Sequence, residues 1–142
     1  MKLCRLSPEE YDSISKRLAE VLAQELDIII AYLHGSFTEK ERDHFGDIDV
    51  AIFLRSDNKE EALRYEVKLE GRLQKIFPLP VDLRVLNHAP VSFCYSVIKN
   101  GQKLVDKNEG LRVDFEASTL SRYFDFMPFR RNYLKDVLNL EI

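Results

Sequence analysis

Residues 47–54 read Asp-Ile-Asp-Val-Ala-Ile-Phe-Leu, an apolar run entered through two carboxylates. No other stretch constrains the fold as much. A run of this length and character fits a strand. Side chains alternate along a strand, so Asp47 and Asp49 share one face while Ile48 and Val50 point to the other. Two carboxylates on one side of an otherwise apolar strand repel each other unless something positive lies between them.

The elements around that run follow from local pattern. Ser7-Pro8-Glu9-Glu10 places a capping serine, a proline at the first helical position and a glutamate three residues after the cap, so a helix starts there. Tyr11, Ile14, Leu18, Val21 and Leu22 then recur at helical spacing. Ile28 to Leu33 has the composition of a buried strand and ends at His34-Gly35-Ser36. A polar segment, Thr38 to Gly46, leads into the acidic strand. Lys59 to Phe77 reads as a helix with Ala62, Tyr65, Leu69, Leu73 and Ile76 on one side, broken by Pro78-Leu79-Pro80. Val81 to Leu86 is a third strand. Ala89 to Asn100 is a helix closed by Gly101, Gln102 to Asp106 a short fourth strand, and Leu111 to Leu140 mostly helical. Helices alternating with a few strands predict an α/β fold, one small sheet flanked by helices, with residues 1–142 as a single domain.

Composition narrows the setting. A chain of 142 residues buries enough surface to fold without disulfide or metal staples. No apolar run approaches the ~20 residues of a membrane span, and Met1 to Glu10 lacks the apolar core of a signal peptide. The expected address is therefore the cytoplasm, with no membrane association and with Cys4 and Cys94 as reduced thiols. The net charge of −3 lacks the basic excess of a phosphate-neutralising nucleic-acid binder, so no direct nucleic-acid binding is expected.

The candidate site assembles from three features in order. Magnesium prefers oxygen ligands and is commonly held by one or two carboxylates plus substrate phosphates, which suits Asp47 and Asp49. Asp82 interrupts the apolar run of the third strand; beside the first pair it completes a cluster able to hold two metals ~4 Å apart, the arrangement that serves in-line displacement at phosphorus. Gly35 lets a backbone approach phosphate closely, and Ser36 can cap a following helix whose free N–H groups suit a phosphate. On this reading a valine at Gly35 blocks phosphate and leaves the fold intact. Each feature has an ordinary alternative. Asp-x-Asp occurs on many exposed strands, Gly-Ser is common turn chemistry, and Asp82 can pair with Arg84 on the same strand face. Their conjunction carries the weight.

At these residues the sequence resembles the nucleotidyltransferase superfamily, whose signature is Gly-Ser, a spacer, and Asp-hydrophobic-Asp: here Gly35-Ser36, Phe37 to Gly46, and Asp47-Ile48-Asp49. It looks most like the minimal nucleotidyltransferase (MNT) branch, the antitoxin of HEPN–MNT toxin–antitoxin pairs. The further stretches that resemble that branch are Val81-Asp82-Leu83 with Leu86-Asn87-His88-Ala89-Pro90, then Ile98 to Val105, then Phe115-Glu116 with Thr119 to Phe126. The resemblance implies a nucleotidyltransferase fold with a small mixed β-sheet, and Asp47, Asp49 and Asp82 as catalytic metal ligands. It implies Mg2+, in two ions, and ATP as substrate bound at Gly35 and Ser36. It also implies a partner, a helical HEPN ribonuclease toxin silenced by adenylylation of a tyrosine. The chain departs from the pattern after Gly-Ser-Phe, where many relatives have Ala-Arg-Gly and this one has Thr38-Glu39-Lys40. The glutamate removes a phosphate contact; Lys40 and Arg42 are the nearby cations.

His34, His44 and His88 are not spaced as a metal set, and His34 is expected to be structural. Among the aromatics Phe115, Tyr123, Phe124, Phe126, Phe129 and Tyr133, most are expected in the core and the remainder on a partner surface, with Arg130 and Arg131 as anchor candidates. Two other functions compete: a non-catalytic antitoxin that neutralises its toxin by binding, and a transferase acting on a small molecule. The last usually needs a further substrate domain, and only the segment from Leu111 onward remains after the sheet. The oligomeric state is left open by the sequence.

Overall fold

The computed structural model describes residues 4–5, 7–35, 44–45 and 47–138, without the side chains of 4, 5, 44, 45, 126, 127, 129, 130, 133, 134, 137 and 138. In chain order the elements are β1 (Cys4–Arg5), α1 (Pro8–Ala23), β2 (Ile28–His34), β3 (His44–Phe45), β4 (Ile48–Leu54), α2 (Lys59–Ile76), β5 (Val81–Val85), α3 (Val91–Asn100), β6 (Gln102–Asp106) and α4 (Glu109–Leu138). The expected α/β architecture is present. Four strands form one mixed sheet in the order β5-β4-β2-β6. β2 runs antiparallel to both β4 and β6, while β4 and β5 are parallel and joined by α2, the kind of crossover a parallel pair requires. The short antiparallel pair β1–β3 sets Cys4 opposite Phe45, just ahead of the acidic strand. Two-residue strands carry no periodic signal, and neither was expected.

α1 begins as its sequence dictates. The Glu10 N–H donates to Ser7 Oγ at 3.2 Å and the Ser7 N–H to Glu10 Oε1 at 3.1 Å, a reciprocal capping box. Both faces of the sheet are covered. One carries Leu18 and Leu22 of α1 and Leu69 and Leu73 of α2 against Leu33, Ile48, Val50 and Ile52. The other carries Cys94 and Val97 of α3, with Leu111 and Phe115 of α4, against Ile30, Tyr32 and Ala51. This explains why β2 is buried along its length up to a half-buried His34. On α2 the expected apolar side is kept except at its end, where Phe77 is buried and Ile76 is 38% exposed. Among the described residues no helix is long and apolar enough to cross a membrane.

Two details depart from simple expectation. Gly101 does close α3, but its backbone is extended (φ −81°) rather than left-handed. Glycine is required there for space: a Cβ would lie 2.4 Å from the Val97 carbonyl oxygen and 3.2 Å from that of Leu33. The second detail is how edge strand β5 is closed. Its outward N–H groups donate to side chains of α2: Val81 to Gln74 Oε1 at 2.9 Å, Leu83 to Glu70 Oε2 at 3.1 Å, and Val85 to Glu66. Four helical residues advance about 6 Å and two strand residues about 6.6 Å, so the two ladders stay in step. The helix thus satisfies an edge that would otherwise invite another strand. Glu70→Ala should lower stability by about 1–2 kcal/mol, and Glu70→Gln, which keeps an acceptor, by less. Chemical denaturation of the two variants checks the order.

Candidate active site

The sheet register builds the site. Asp49 of β4 lies directly beside Asp82 of β5, and His34 of β2 lies directly opposite Asp49 from the other side. One row across three strands therefore carries His34, Asp49 and Asp82. The alternation expected along β4 holds: Ile48 and Val50 are fully buried in the α1–α2 core, and half-buried Asp49 sits between them on the other face. Asp47 stands immediately before β4, also half-buried.

Gly35 follows His34 with a left-handed backbone, φ +73°. A Cβ at this position would come within 2.2 Å of Asp49 Oδ2 and 3.1 Å of its carboxyl carbon. The glycine is thus shaped by the acid next to it as well as by any ligand. That corrects the expectation that valine here would spare the fold, because a side chain would collide with Asp49 and strain the backbone. Ser36, and with it Thr38, Glu39, Lys40 and Arg42, lies outside the described residues, so its expected capping role is not addressed.

The electrostatics are those of crowded acids. Burial pushes the Asp49 carboxyl up to about 6, the negative charges of Asp82 and Asp47 add to the rise, and Arg84 pulls the other way. Asp82, its side chain 45% exposed, is paired with Arg84, Nε to Oδ1 at 3.3 Å, the ordinary pairing open to it from sequence. Among the described residues no three His, Cys, Asp or Glu side chains are grouped to hold an ion by themselves. The expected trio resolves into a facing pair, Asp49 and Asp82, with Asp47 acting on it through charge. His34 completes the row. Burial lowers its pKa, opposed by Asp82, and its Nε2 is buried with no hydrogen-bond partner among the described residues. Its ring meets Phe93 of α3 edge-on at 5.5 Å.

A pH effect follows with a definite sign. The native Asp49 carboxyl titrates above its usual 3.8, so the folded protein holds more proton than the unfolded chain between about pH 4 and 6. Ion-free stability from this group is therefore full below about pH 4 and falls as pH rises through about 6. Partial exposure limits the change to roughly 1–2 kcal/mol. Asp49→Asn should flatten that part of the profile, as thermal melts in chelator across this range would show.

Other sequence expectations resolve individually. Asn87 is structural: its side chain accepts from the Leu54 N–H at 2.8 Å and donates to the Leu54 carbonyl at 2.9 Å, extending the end of β4. His88 Nε2 meets the Asp57 carbonyl oxygen at 2.8 Å across the same junction. Cys94 is free and buried, and burial pushes its thiol up. Phe115 packs on Phe53 at 4.9 Å and belongs to the core. Tyr123 stacks on Tyr95 at 3.7 Å, and Phe124, 59% exposed, sits edge-on to both. The side chains of Phe126, Phe129, Arg130 and Tyr133 lie outside those described, whereas Arg131 is exposed. Phe93 had no mark in the sequence, being one of several apolar residues in its helix. Only the crossing of α3 over β2 brings it to His34.

Solved structures share this fold. A chain from Shewanella oneidensis superposes with a TM-score of 0.68 at 22% identity, covering 89% of this chain and 98% of that one. A structure described as tri-AMPylated Shewanella oneidensis HEPN toxin in complex with MNT antitoxin gives 0.63 at 22% identity, with the same coverage. A toxin–antitoxin structure with AMP-PNP gives 0.67 at 22% identity, covering 93% of this chain and 99% of that one. No curated protein matches the sequence. Residues 16–110, about two-thirds of the chain, match the family described as Polymerase beta, Nucleotidyltransferase. That match runs from α1 to the start of α4 and takes in Gly35, Asp47, Asp49 and Asp82, so the chain belongs to the polymerase beta nucleotidyltransferase family.

Proposed function

We propose that this protein is an antitoxin-type nucleotidyltransferase that moves AMP from ATP to a tyrosine of a helical HEPN ribonuclease partner in the cytoplasm. The observation that carries this reading is the facing pair Asp49–Asp82 beside the left-handed Gly35, with the Asp49 carboxyl raised by burial and further by its acidic neighbours. Such a pair favours a cation, and His34 Nε2 offers a buried polar atom in the same row with no partner among the described residues. The residues fit magnesium: Asp49 and Asp82, with Asp47, would supply carboxylates and the nucleotide the remaining oxygens. When bound, the metal would neutralise phosphate charge and favour ionisation of the attacking hydroxyl. The chain itself holds the acids in register, keeps Cβ atoms away from the turn at Gly35, and orients the row through sheet hydrogen bonds. The fold neighbours described as HEPN–MNT and AMP-PNP complexes support the choice of partner and nucleotide.

The second reading, neutralisation by binding alone, draws on one observation: Arg84 occupies an oxygen of Asp82. In both readings the Tyr95, Tyr123 and Phe124 cluster with exposed Arg131 supplies a docking face, since exposed aromatics and arginine serve as interface anchors. Labelled ATP and magnesium incubated with the HEPN protein encoded beside this chain should yield a partner carrying added AMP by mass spectrometry. A partner that is bound and silenced with no mass change decides for the second reading.

A further inference from the structure

Arg84 lies two residues along β5 from Asp82 and on the same strand face. Sheet register sets it beside Ala51 of β4, which lies opposite Tyr32 of β2, so the row next to the acid row reads Tyr32, Ala51, Arg84. The arginine turns back to the acids: its Nε donates to Asp82 Oδ1 at 3.3 Å. Its field reaches further. Burial is the largest influence on Asp49, His34 and Glu66, and Arg84 pulls the pKa of all three down. Glu66, on α2, is half-buried and accepts the Val85 N–H, which leaves one of its carboxylate oxygens for another donor. Arg84, Glu66 and Phe93 line one groove of about 700 Å³, between α2 and the loop from β5 to α3. The guanidinium therefore stands between two carboxylates, with open space to move from one to the other.

Both side chains of the Arg84–Asp82 pair are open to solvent. An ion pair so placed contributes little to stability and exchanges readily. A guanidinium on Asp82 and a divalent cation on Asp49 and Asp82 compete for the same negative charge, and two positive groups a few ångströms apart repel. Resting on the reading above that these acids hold a cation, we propose that Arg84 is a placeholder: it occupies Asp82 while the site holds no ion and passes to Glu66 when an ion takes the acids. The exchange keeps each charge paired in both states. Asp82 trades a guanidinium for the ion, and the guanidinium trades Asp82 for Glu66. Arg84 and Glu66 are then positioning residues that set how tightly the acids hold an ion, and neither touches it. The Arg84–Asp82 pair becomes a reversible occupant of the site rather than a reason for it to lack a cation.

Manganese alone is the probe, titrated into the full chain without nucleotide or partner and read by electron paramagnetic resonance of the free ion. The result is thereby independent of AMP transfer. Arg84→Gln should bind manganese about three- to tenfold more tightly than wild type, because the competing charge is gone. Glu66→Gln should bind it about threefold more weakly, because Arg84 loses the place it moves to. The double variant Arg84→Gln/Glu66→Gln should bind as tightly as Arg84→Gln alone, since Glu66 acts through Arg84. A Glu66→Gln effect of the same size with and without Arg84 overturns the proposal, because Glu66 would then act on the ion by its own charge. Unchanged or weaker binding by Arg84→Gln overturns it too. Binding of manganese by wild type in either case leaves the reading of the acids as cation ligands standing. Absence of binding in wild type and in Arg84→Gln alike removes that reading and this proposal with it.

Discussion

Asp47→Asn/Asp49→Asn should lower AMP transfer by at least about a thousandfold and leave partner affinity within about twofold of wild type. The two effects separate because the acids occupy one end of a strand, half-buried among apolar neighbours. Tyr95, Tyr123 and Phe124 belong to α3 and α4. Neutral amides keep the shape and remove the charge that phosphate-bound magnesium requires. The same variant should be more stable than wild type at neutral pH in chelator, because it removes the half-buried charge whose burial, with the repulsion from Asp82 and Asp47, raises the Asp49 carboxyl. Mass spectrometry of the partner, calorimetric titration of the complex and a thermal melt read the three consequences. A variant that still transfers AMP at a tenth of the wild-type rate or more would remove these acids from the chemistry.

Gly35→Ala should be nearly as damaging, for a different reason. A non-glycine residue at φ +73° carries strain of about 1 kcal/mol, and its methyl group would stand 2.2 Å from Asp49 Oδ2. One of the two must move, so the expected cost is about 2–3 kcal/mol of stability together with a loss of transfer of at least about a hundredfold. The cause can be isolated by a double-mutant cycle. Gly35→Ala/Asp49→Ala should recover the part of the stability due to the collision, leave the backbone strain, and recover no activity. Additive stability changes in denaturant would show that the two positions do not meet.

Much of this protein was legible in its sequence, and the legible parts share a physical cause. The capping box at Ser7 and Glu10, the alternation of Asp47 and Asp49 with Ile48 and Val50, and the helix-breaking prolines after α2 are all set by residues within a few positions of one another. Backbone geometry converts such short spacings directly into faces and boundaries. The conjunction of Gly35, Asp47, Asp49 and Asp82 could likewise be read, since each lies at a strand end or interrupts an apolar run. Distances between strands could not be read. That Asp49 faces Asp82 and His34 in one row depends on register, and register is settled by sheet packing over residues far apart in the chain. The same holds for the fit of Gly35 against Asp49 and for the ladder from α2 that closes β5. It holds too for the groove that brings Arg84 and Phe93 to the edge of the acid row. Local spacing determined which side chains could do chemistry; the burial of two helical layers on one sheet decided which of them meet.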